Sequence, residues 1–581
     1  MTKCRICFET ETEWAEDSLD EHLLGSHADD ETSVRAVYSD RHEKLFENGG
    51  ADLGDDGAAG DAGGPDAGGP GAPTSGSGGS AGSGGSGGST TPGPLGGTDD
   101  SAGAGGSGVP GGAGGPGSGG SGGAGDVDLL DDAYGKKWYM IGVGGAGNNI
   151  MDAILLRKNT LEHNNEDRAL VWRGGLAGYG MLNTNIAELE QTYYAQELKQ
   201  YSRNDLLPNA IIGFGKHDYS GMGRRWDNGE KVLRADFEDG NPFRDRWDMD
   251  PQHVRDAQAL MFVHSVTKGT GCGSTPALAE HVREEVLSDD YVIDKALLSS
   301  VVIPSAEDKF GGRARTNGAV GLARMSQTAD AIIPFNNERL QDVQGDIKPR
   351  IEGIERYNPP QYTELNKPLV AFLEAFTMSS TPQIVDQDAT MSIQGDVFDV
   401  SDSFRPVEDK YPLDLDREYT PAVILAPVLG RSRDAQLDKS GLEILVRNAL
   451  FHNKLSDFDP TTAWGGTFII YGPEEKMEHV SPYVNDNTLR EIIGGEEFLN
   501  VDDVSGAESI DIHISQMVIP YLDDVYLWGT LWNPKMPSLE AMYEHAKTLK
   551  EEGNSRQAES LRDIWHLVDP LFSCLGRENM A

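Results

Sequence analysis

The sequence predicts an α/β fold built on a parallel sheet. Two local patterns and one global pattern point to it. Ala259-Leu260-Met261-Phe262-Val263 is an apolar run of strand length, followed by the glycine-rich Lys268-Gly269-Thr270-Gly271-Cys272-Gly273-Ser274 and a helical stretch through Pro276 to His281. The same order of strand, glycine turn and helix occurs upstream, at Lys137–Ile141, Gly142–Asn149 and Ile150–Leu155. Further apolar runs alternate with helical patterns toward the C-terminus, as in chains that wind helices around a sheet.

The chain has 581 residues, enough for several domains. Its formal net charge is −45, with 94 acidic against 49 basic residues. That charge argues against a nucleic-acid partner or an anionic membrane. Spread acidity also suits a protein kept soluble in high salt, and so a halophilic source. The four cysteines make no disulfide framework, which fits a reducing cytoplasm. No signal peptide is expected, and no uninterrupted apolar run approaches transmembrane length. A soluble cytoplasmic protein with no direct membrane insertion is expected.

At the N-terminus Cys4-x2-Cys7 is followed by His22-x4-His27, with 14 residues between the pairs. This is a zinc spacing. The stretch resembles a C2H2-type zinc finger over residues 1–30, with Zn2+ held by Cys4, Cys7, His22 and His27. So small a unit folds on metal rather than on apolar burial. Glu16, Asp17, Asp20 and Glu21 stand where a DNA-binding finger is basic, so a protein partner is expected. Residues 31–134 form an acidic linker rich in Gly, Ala, Ser and Pro. From Gly49 to Asp126 it has no Lys or Arg and almost nothing apolar. Such a segment cannot offset its ordering entropy and acts as a flexible tether with a span of roughly 50 Å.

The glycine turns carry the chemistry. Glycines let the backbone approach a ligand closely, and a helix N-terminus offers unpaired N–H groups to a phosphate. Ser274 and Thr275 are placed for an N-cap, with Pro276 in the first turn of the following helix. Gly142-Val143-Gly144-Gly145-Ala146-Gly147 also reads as a dinucleotide fingerprint. That fold needs an acid at the end of the second strand to hold a ribose. The next apolar run, Ala169-Leu170-Val171-Trp172, ends in Arg173-Gly174-Gly175, and no acid is there. A dinucleotide-dependent oxidoreductase is disfavoured.

Taken together these stretches resemble the FtsZ/tubulin superfamily, in a divergent, haloarchaeal form. Gly142–Asn149 resembles the first nucleotide loop of the family and Lys268–Gly273 its signature loop, with Thr267 and Lys268 where the family has glycines. Leu182-Asn183-Thr184-Asn185 resembles the Asn-Thr-Asp loop. Gly221-Met222-Gly223-Arg224-Arg225 resembles the γ-phosphate loop, and Ile303-Pro304 through Arg315 stands in the place of the ribose loop. Ile333–Leu340 resembles the segment whose Asn contacts guanine. The resemblance covers roughly Lys136 to Asn533. It implies GTP/GDP with Mg2+ as ligands. It puts Gly144, Gly145, Gly269, Thr270, Gly271 and Gly273 around the phosphates and adds Asn183, Thr184, Gly223, Arg224, Lys268 and Cys272 to the nucleotide-binding residues, with Lys268 either touching a phosphate or solvated in its loop. It puts Glu307 and Arg313 near the ribose, and Asn149, Asn337 and Phe376 near the base.

A long helix is expected from Thr363 to Met378, since Leu365, Leu369, Phe372, Leu373 and Phe376 keep helical spacing. Ile393–Val400 resembles the family's synergy loop, which implies that Asp396 and Asp399 act catalytically in the pocket of a neighbouring subunit. Apolar runs at Ala422–Leu425, Thr467–Tyr471, Gln516–Pro520 and Tyr526–Thr530 supply further strands. Leu442–Phe451 and Glu540–Leu567 supply amphipathic helices. The expected organisation is residues 135–362 as nucleotide-binding domain, 363–380 as central helix, 381–534 as second α/β domain and 535–581 as C-terminal helices. The implied function is a GTP-binding, GTP-hydrolysing, tubulin-like protein that self-associates into filaments and recruits a partner through its finger. The alternative is a non-catalytic scaffold with a static nucleotide site.

Overall fold

The computed structural model describes residues 138–164, 171–172, 175–198, 209–215, 221–238, 254, 257–287, 295–304, 311–379, 400–411, 420–434, 437–485, 488–489, 511–519 and 522–579. The finger ligands Cys4, Cys7, His22 and His27, the linker, Glu307, Asp396 and Asp399 lie outside these residues. All the described residues belong to one compact unit.

Strand β1 is Trp138–Val143, and all of it is buried. A continuous apolar run of this kind forms a strand covered on both faces. Helix α1, Gly144–His163, follows with no intervening loop. Strand β2 is Leu176–Asn183, the short helix α2 is Ile186–Leu189, and β3 is Asn209–Gly213. Helix α3 is Trp226–Phe237, β4 is Ala259–Ser265 and α4 is Gly269–His281. Then come β5 Ala296–Ile303, α5 Gly311–Met325, β6 Ala331–Asn336, α6 Asn337–Asp342 and the long helix α7, Pro360–Ser379. The remainder holds β7 Val423–Ser432, α8 Lys439–Phe451, β8 Gly465–Gly472, β9 Asp511–Val518 and β10 Val525–Trp532. Helices α9 Pro537–Glu552, α10 Arg556–Asp563 and α11 Trp565–Ser573 close the fold.

The strands form one sheet of ten, in the order β3-β2-β1-β4-β5-β6-β7-β10-β8-β9. From β3 to β7 every pairing is parallel. Strand β10 runs antiparallel to both β7 and β8. The β6–β7 seam is short, with Ala331 opposite Val423 and Ile332 opposite Ile424, and it carries the sheet from one half of the chain into the other.

Two apolar layers cover the sheet. Along β1, Tyr139, Ile141 and Val143 belong to one layer, and Trp138 and Met140 to the other. This is the period of two expected of a strand. Helix α4 packs in the first layer with α5, α9 and α11. Helix α1 packs in the second with α7 and the buried Trp138, Trp172, Trp464, Trp528 and Trp532. The chain leaves β1 on one face and β4 on the other, so a crevice opens between their C-terminal ends. Open α/β sheets bind ligands at such a switch point.

Three local expectations are corrected. Gly144–Asn149 and Gly269–Gly273 are not turns ahead of helices; they are the opening residues of α1 and α4. Pro276 therefore sits inside α4 rather than at its start. The second strand is Leu176–Asn183, not Ala169–Trp172; Val171 and Trp172 are helical. Leu-Ala-Gly-Tyr-Gly-Met-Leu-Asn has weak strand propensity, and pairing with β1 and β3 on both sides overrides it. The central helix, β7, β8 and β10 fall close to where the apolar pattern set them, whereas β9, Asp511–Val518, starts five residues ahead of the Gln516–Pro520 run.

Candidate functional site

The C-terminal ends of the parallel strands place the candidate site. Helices α1 and α4 begin there directly after β1 and β4, and their first turns touch. A Cβ built on Gly144 would lie 3.1 Å from the Gly271 nitrogen. Gly144 has φ +73, a conformation L side chains rarely adopt. Gly271 faces the Ser265 carbonyl, 2.7 Å from where its own Cβ would stand. Two helix N-termini thus abut chiefly through backbone, with the Thr270 Cβ alongside at 3.5 Å from the Cβ built on Gly144.

Neither N-terminus is satisfied from within. The N-cap residues are Val143 and Lys268, and neither side chain accepts a capping hydrogen bond. Neither helix has an acidic residue in its first turn, in a chain with 94 of them. Helix ends leave their first N–H groups without partners, and the dipole favours an anion there. Two such ends side by side make an anion cradle.

Neighbouring segments fix this cradle in place. Thr184 Oγ1 lies 3.0 Å from Thr270 Oγ1, joining the end of β2 to the first turn of α4. Asn148 Nδ2 donates to the Leu182 carbonyl at 3.1 Å. Asn183 Nδ2 donates to Glu188 Oε2 at 2.8 Å, and that same oxygen stands 2.8 Å from where a Cβ on Gly145 would be. Gly269 packs against the backbone of Arg225, and Gly273 against the Trp226 carbonyl, 1.8 Å from where its Cβ would stand. The 221–225 turn therefore rests on the start of α4. Asn317 Nδ2 donates to the Arg224 carbonyl at 2.8 Å. Arg225 pairs with Asp227 at 2.9 Å. Partial burial pushes the Asp227 carboxyl up, but the Arg225 hydrogen bond and charge outweigh this and hold it below the usual range. Beneath the loop, His264 Nε2 lies 2.8 Å from Ser299 Oγ. Burial pushes its pKa down to about 3, so it adds no charge to the site near neutral pH.

The structure brings Gly144, Gly145, Asn183, Thr184, Gly269, Thr270, Gly271 and Gly273 together, with Gly223 and Arg224 on the adjoining turn. Lys268 is the exposed N-cap of α4. Asn149 is half-buried in the second turn of α1. Arg313 is exposed in the first turn of α5, and Asn337 is half-buried at the start of α6. Both helices follow parallel strands, so both residues lie along the same sheet edge. Cys272 turns away from the cradle: it is buried and its Sγ donates to the Asn317 carbonyl at 3.0 Å. Burial pushes its thiol pKa far up, which makes it inert.

Phe376 is elsewhere. It stacks on Trp528 at 4.7 Å between ring centroids and packs against Trp138, the first residue of β1. Gly144 follows the last residue of that strand, so Phe376 sits at the opposite end of the sheet, in the core. Its helical spacing among Leu369, Phe372 and Leu373 reflects burial alone.

Sequence reasoning missed Asn148, Glu188 and Asn317. Asn148 adjoins the glycine run and was within reach of it. Glu188 is indistinguishable from its many acidic neighbours, and Asn317 has no motif around it.

Residues 245–345 match the Tubulin/FtsZ family, GTPase domain. That segment spans β4 to α6 and contains the Gly269–Gly273 turn. The first glycine stretch, Gly144–Gly147, lies outside it and joins the site by geometry. The chain is also similar to the tubulin-like protein CetZ of Thermococcus kodakarensis, 34% identical over 86 residues, covering 15% of this chain and 20% of that one. It is 23% identical over 296 residues to the tubulin-like protein CetZ of Pyrococcus abyssi, covering 51% and 68% of the two chains. These matches thus span a fifth to about two thirds of the relatives' own lengths. Among solved structures, CetZ2 from Haloferax volcanii, a GTPγS-bound protofilament, is 15% identical with a TM-score of 0.48, covering 72% of this chain and all of that one. Among the described residues, no helix is long and apolar enough to cross a membrane, and no cluster of His, Cys, Asp and Glu is arranged to hold a metal ion.

Proposed function

We propose that the chain is a tubulin-like protein that binds GTP between α1 and α4 and hydrolyses it when it self-associates into filaments. One observation carries the reading: two uncapped, acid-free helix N-termini abut through glycine backbone at the switch point of a parallel sheet. The match of residues 245–345 to the Tubulin/FtsZ GTPase domain supports guanine nucleotide as the ligand.

The residues fit a nucleoside triphosphate with Mg2+. The N–H groups of Gly144, Gly145 and Gly269–Gly271 would hold phosphate oxygens, and Lys268 and Arg224 would add positive charge at the mouth. Glu188, held by Asn183 beside Gly145, offers a hard oxygen donor of the kind Mg2+ prefers. The cation would supply charge neutralisation at the phosphates, while the chain orients and anchors. Phosphoryl transfer asks for little more than an anchored phosphate and an oriented nucleophile. In this reading Glu188 serves the cation and no carboxylate belongs to either first turn among the described residues, so the acids that orient water would come from elsewhere. We assign that role to Asp396 and Asp399 of an adjoining subunit, with Arg313 and Glu307 near the ribose and Asn149 and Asn337 near the base. The N-terminal finger, with Zn2+ on Cys4, Cys7, His22 and His27, would recruit a protein partner.

Pelleting with simultaneous phosphate release, in high salt, tests this. Turnover per chain should rise with protein concentration, and Asp399→Ala should bind GTP normally while losing turnover by orders of magnitude. Polymer without turnover in the wild type would establish a scaffold instead. An N-terminal segment that binds no stoichiometric zinc would remove the finger.

A further inference from the structure

Asn317 lies fully buried in α5 and touches two parts of the candidate site at once. Its Nδ2 donates to the Arg224 carbonyl at 2.8 Å, and its backbone carbonyl accepts from Cys272 Sγ at 3.0 Å. Arg224 has φ +56, in the left-handed region. A side chain other than glycine enters that region when its surroundings hold it there. The Asn317 amide bonds the carbonyl of that very residue.

Two further observations separate this contact from general packing. Asn317 Oδ1 is buried with no hydrogen-bond partner. An orphan acceptor of this kind offsets much of what the Nδ2 bond contributes, so the side chain adds little to global stability. Helix α3, which follows the turn, is anchored separately. Arg324 of α5 pairs with Glu230 and lies 5.4 Å over the Trp226 ring, and Arg234 bonds Glu280 of α4 at 2.5 Å. Losing the Asn317 amide would leave α3 seated and release the 221–225 turn alone.

We propose that Asn317 is a positioning residue of the nucleotide site: its amide holds Arg224 in the left-handed conformation and so sets the 221–225 turn against Gly269 before nucleotide arrives. The proposal rests on the reading that the site takes GTP. Preorganisation of this kind raises affinity by removing an ordering cost from the binding step.

The test compares full-length wild type with Asn317→Ala, Arg224→Gly and the double variant, using a fluorescent GTP analogue, amide hydrogen exchange across 221–229 and thermal unfolding. Asn317→Ala should weaken affinity about tenfold, or ~1.4 kcal/mol. It should speed exchange at 221–229 and barely move the unfolding midpoint. Glycine takes the left-handed conformation unaided, so in the Arg224→Gly background the same change should alter affinity less than twofold. Equal losses in both backgrounds, or unchanged exchange at 221–229, would overturn the proposal. If Asn317→Ala does not fold, Asn317→Leu nearly keeps the volume and removes the donor without adding a charge, and the same outcomes apply. If no form binds nucleotide, the functional reading fails, and hydrogen exchange still decides whether Asn317 orders the turn.

Discussion

Arg157 and Glu374 form a buried two-point ion pair between α1 and the central helix, Nε to Oε2 at 2.8 Å and Nη2 to Oε1 at 3.1 Å. Trp172 Nε1 donates to the same carboxylate at 3.2 Å, and Arg157 Nη1 donates to the Arg350 carbonyl at 3.0 Å. The pair is therefore well satisfied, and it fastens the helix that opens at Gly144 to α7. A lone buried charge is far less favourable than a satisfied pair. Glu374→Ala should lower unfolding free energy by about 3–5 kcal/mol in urea titration. The double change Arg157→Met with Glu374→Leu should lose much less. If the two single variants and the double lost equal amounts, the coupling would be absent.

The glycines of the cradle are required for space and for backbone conformation. Gly144→Ala places a methyl 3.1 Å from the Gly271 nitrogen at φ +73. Left-handed strain alone is about 1–2 kcal/mol. We expect a loss of nucleotide affinity of at least about tenfold by equilibrium titration. Gly345→Ala, with nothing within 4 Å, is the control and should leave affinity unchanged.

Asp152 gives the fold a pH dependence. It is buried in α1, where its Oδ2 accepts from the Tyr193 N–H at 3.0 Å. Burial pushes its pKa up to about 8, with the backbone bonds from Tyr193 and Tyr194 only partly opposing this. Between the unfolded value near 4 and about 8, the unfolded chain binds fewer protons at this site than the native chain, so this group lowers stability as pH rises. Below that window both states are protonated and the effect vanishes. Asp152→Asn keeps the acceptor and removes the ionisation. Its advantage over wild type should grow from pH 4 to 8, reach on the order of a few kcal/mol, and then level off. Urea midpoints at pH 4.5, 6 and 8.5 check it; a difference that does not depend on pH would refute it.

Phe376 should behave as core. Phe376→Ala should cost about 3–5 kcal/mol of stability through the cavity left against Trp528 and Trp138. Phe376→Leu should cost less. In either folded variant the ratio of GTP to ATP affinity should match wild type. A shifted ratio would mean that the ring reads the base.

What the chain alone determined are features encoded by neighbours in sequence. The apolar runs mark β1, β4, β7, β8 and β10, because a strand buried on both faces must be apolar throughout. The spacing of Leu365, Leu369, Phe372 and Phe376 marks the central helix. The two glycine stretches mark where backbone must come close to something. Tertiary structure decided what that something is. Gly144 and Gly271 meet across the crevice because β1 and β4 pair in parallel and send their helices to opposite faces, a relation that no local window contains. The same contacts start α1 and α4 at glycines, which are poor helix formers, since a side chain at Gly147 or Gly273 would collide with the carbonyl of Val263 or Trp226. Pairing on both edges made a strand of the glycine-containing Leu176–Asn183. Phe376 was drawn into the core for a similar reason: aromatic spacing on a helix is the same for a ring that stacks on a base and one that stacks on Trp528. Only the position of the neighbouring ring separates the two.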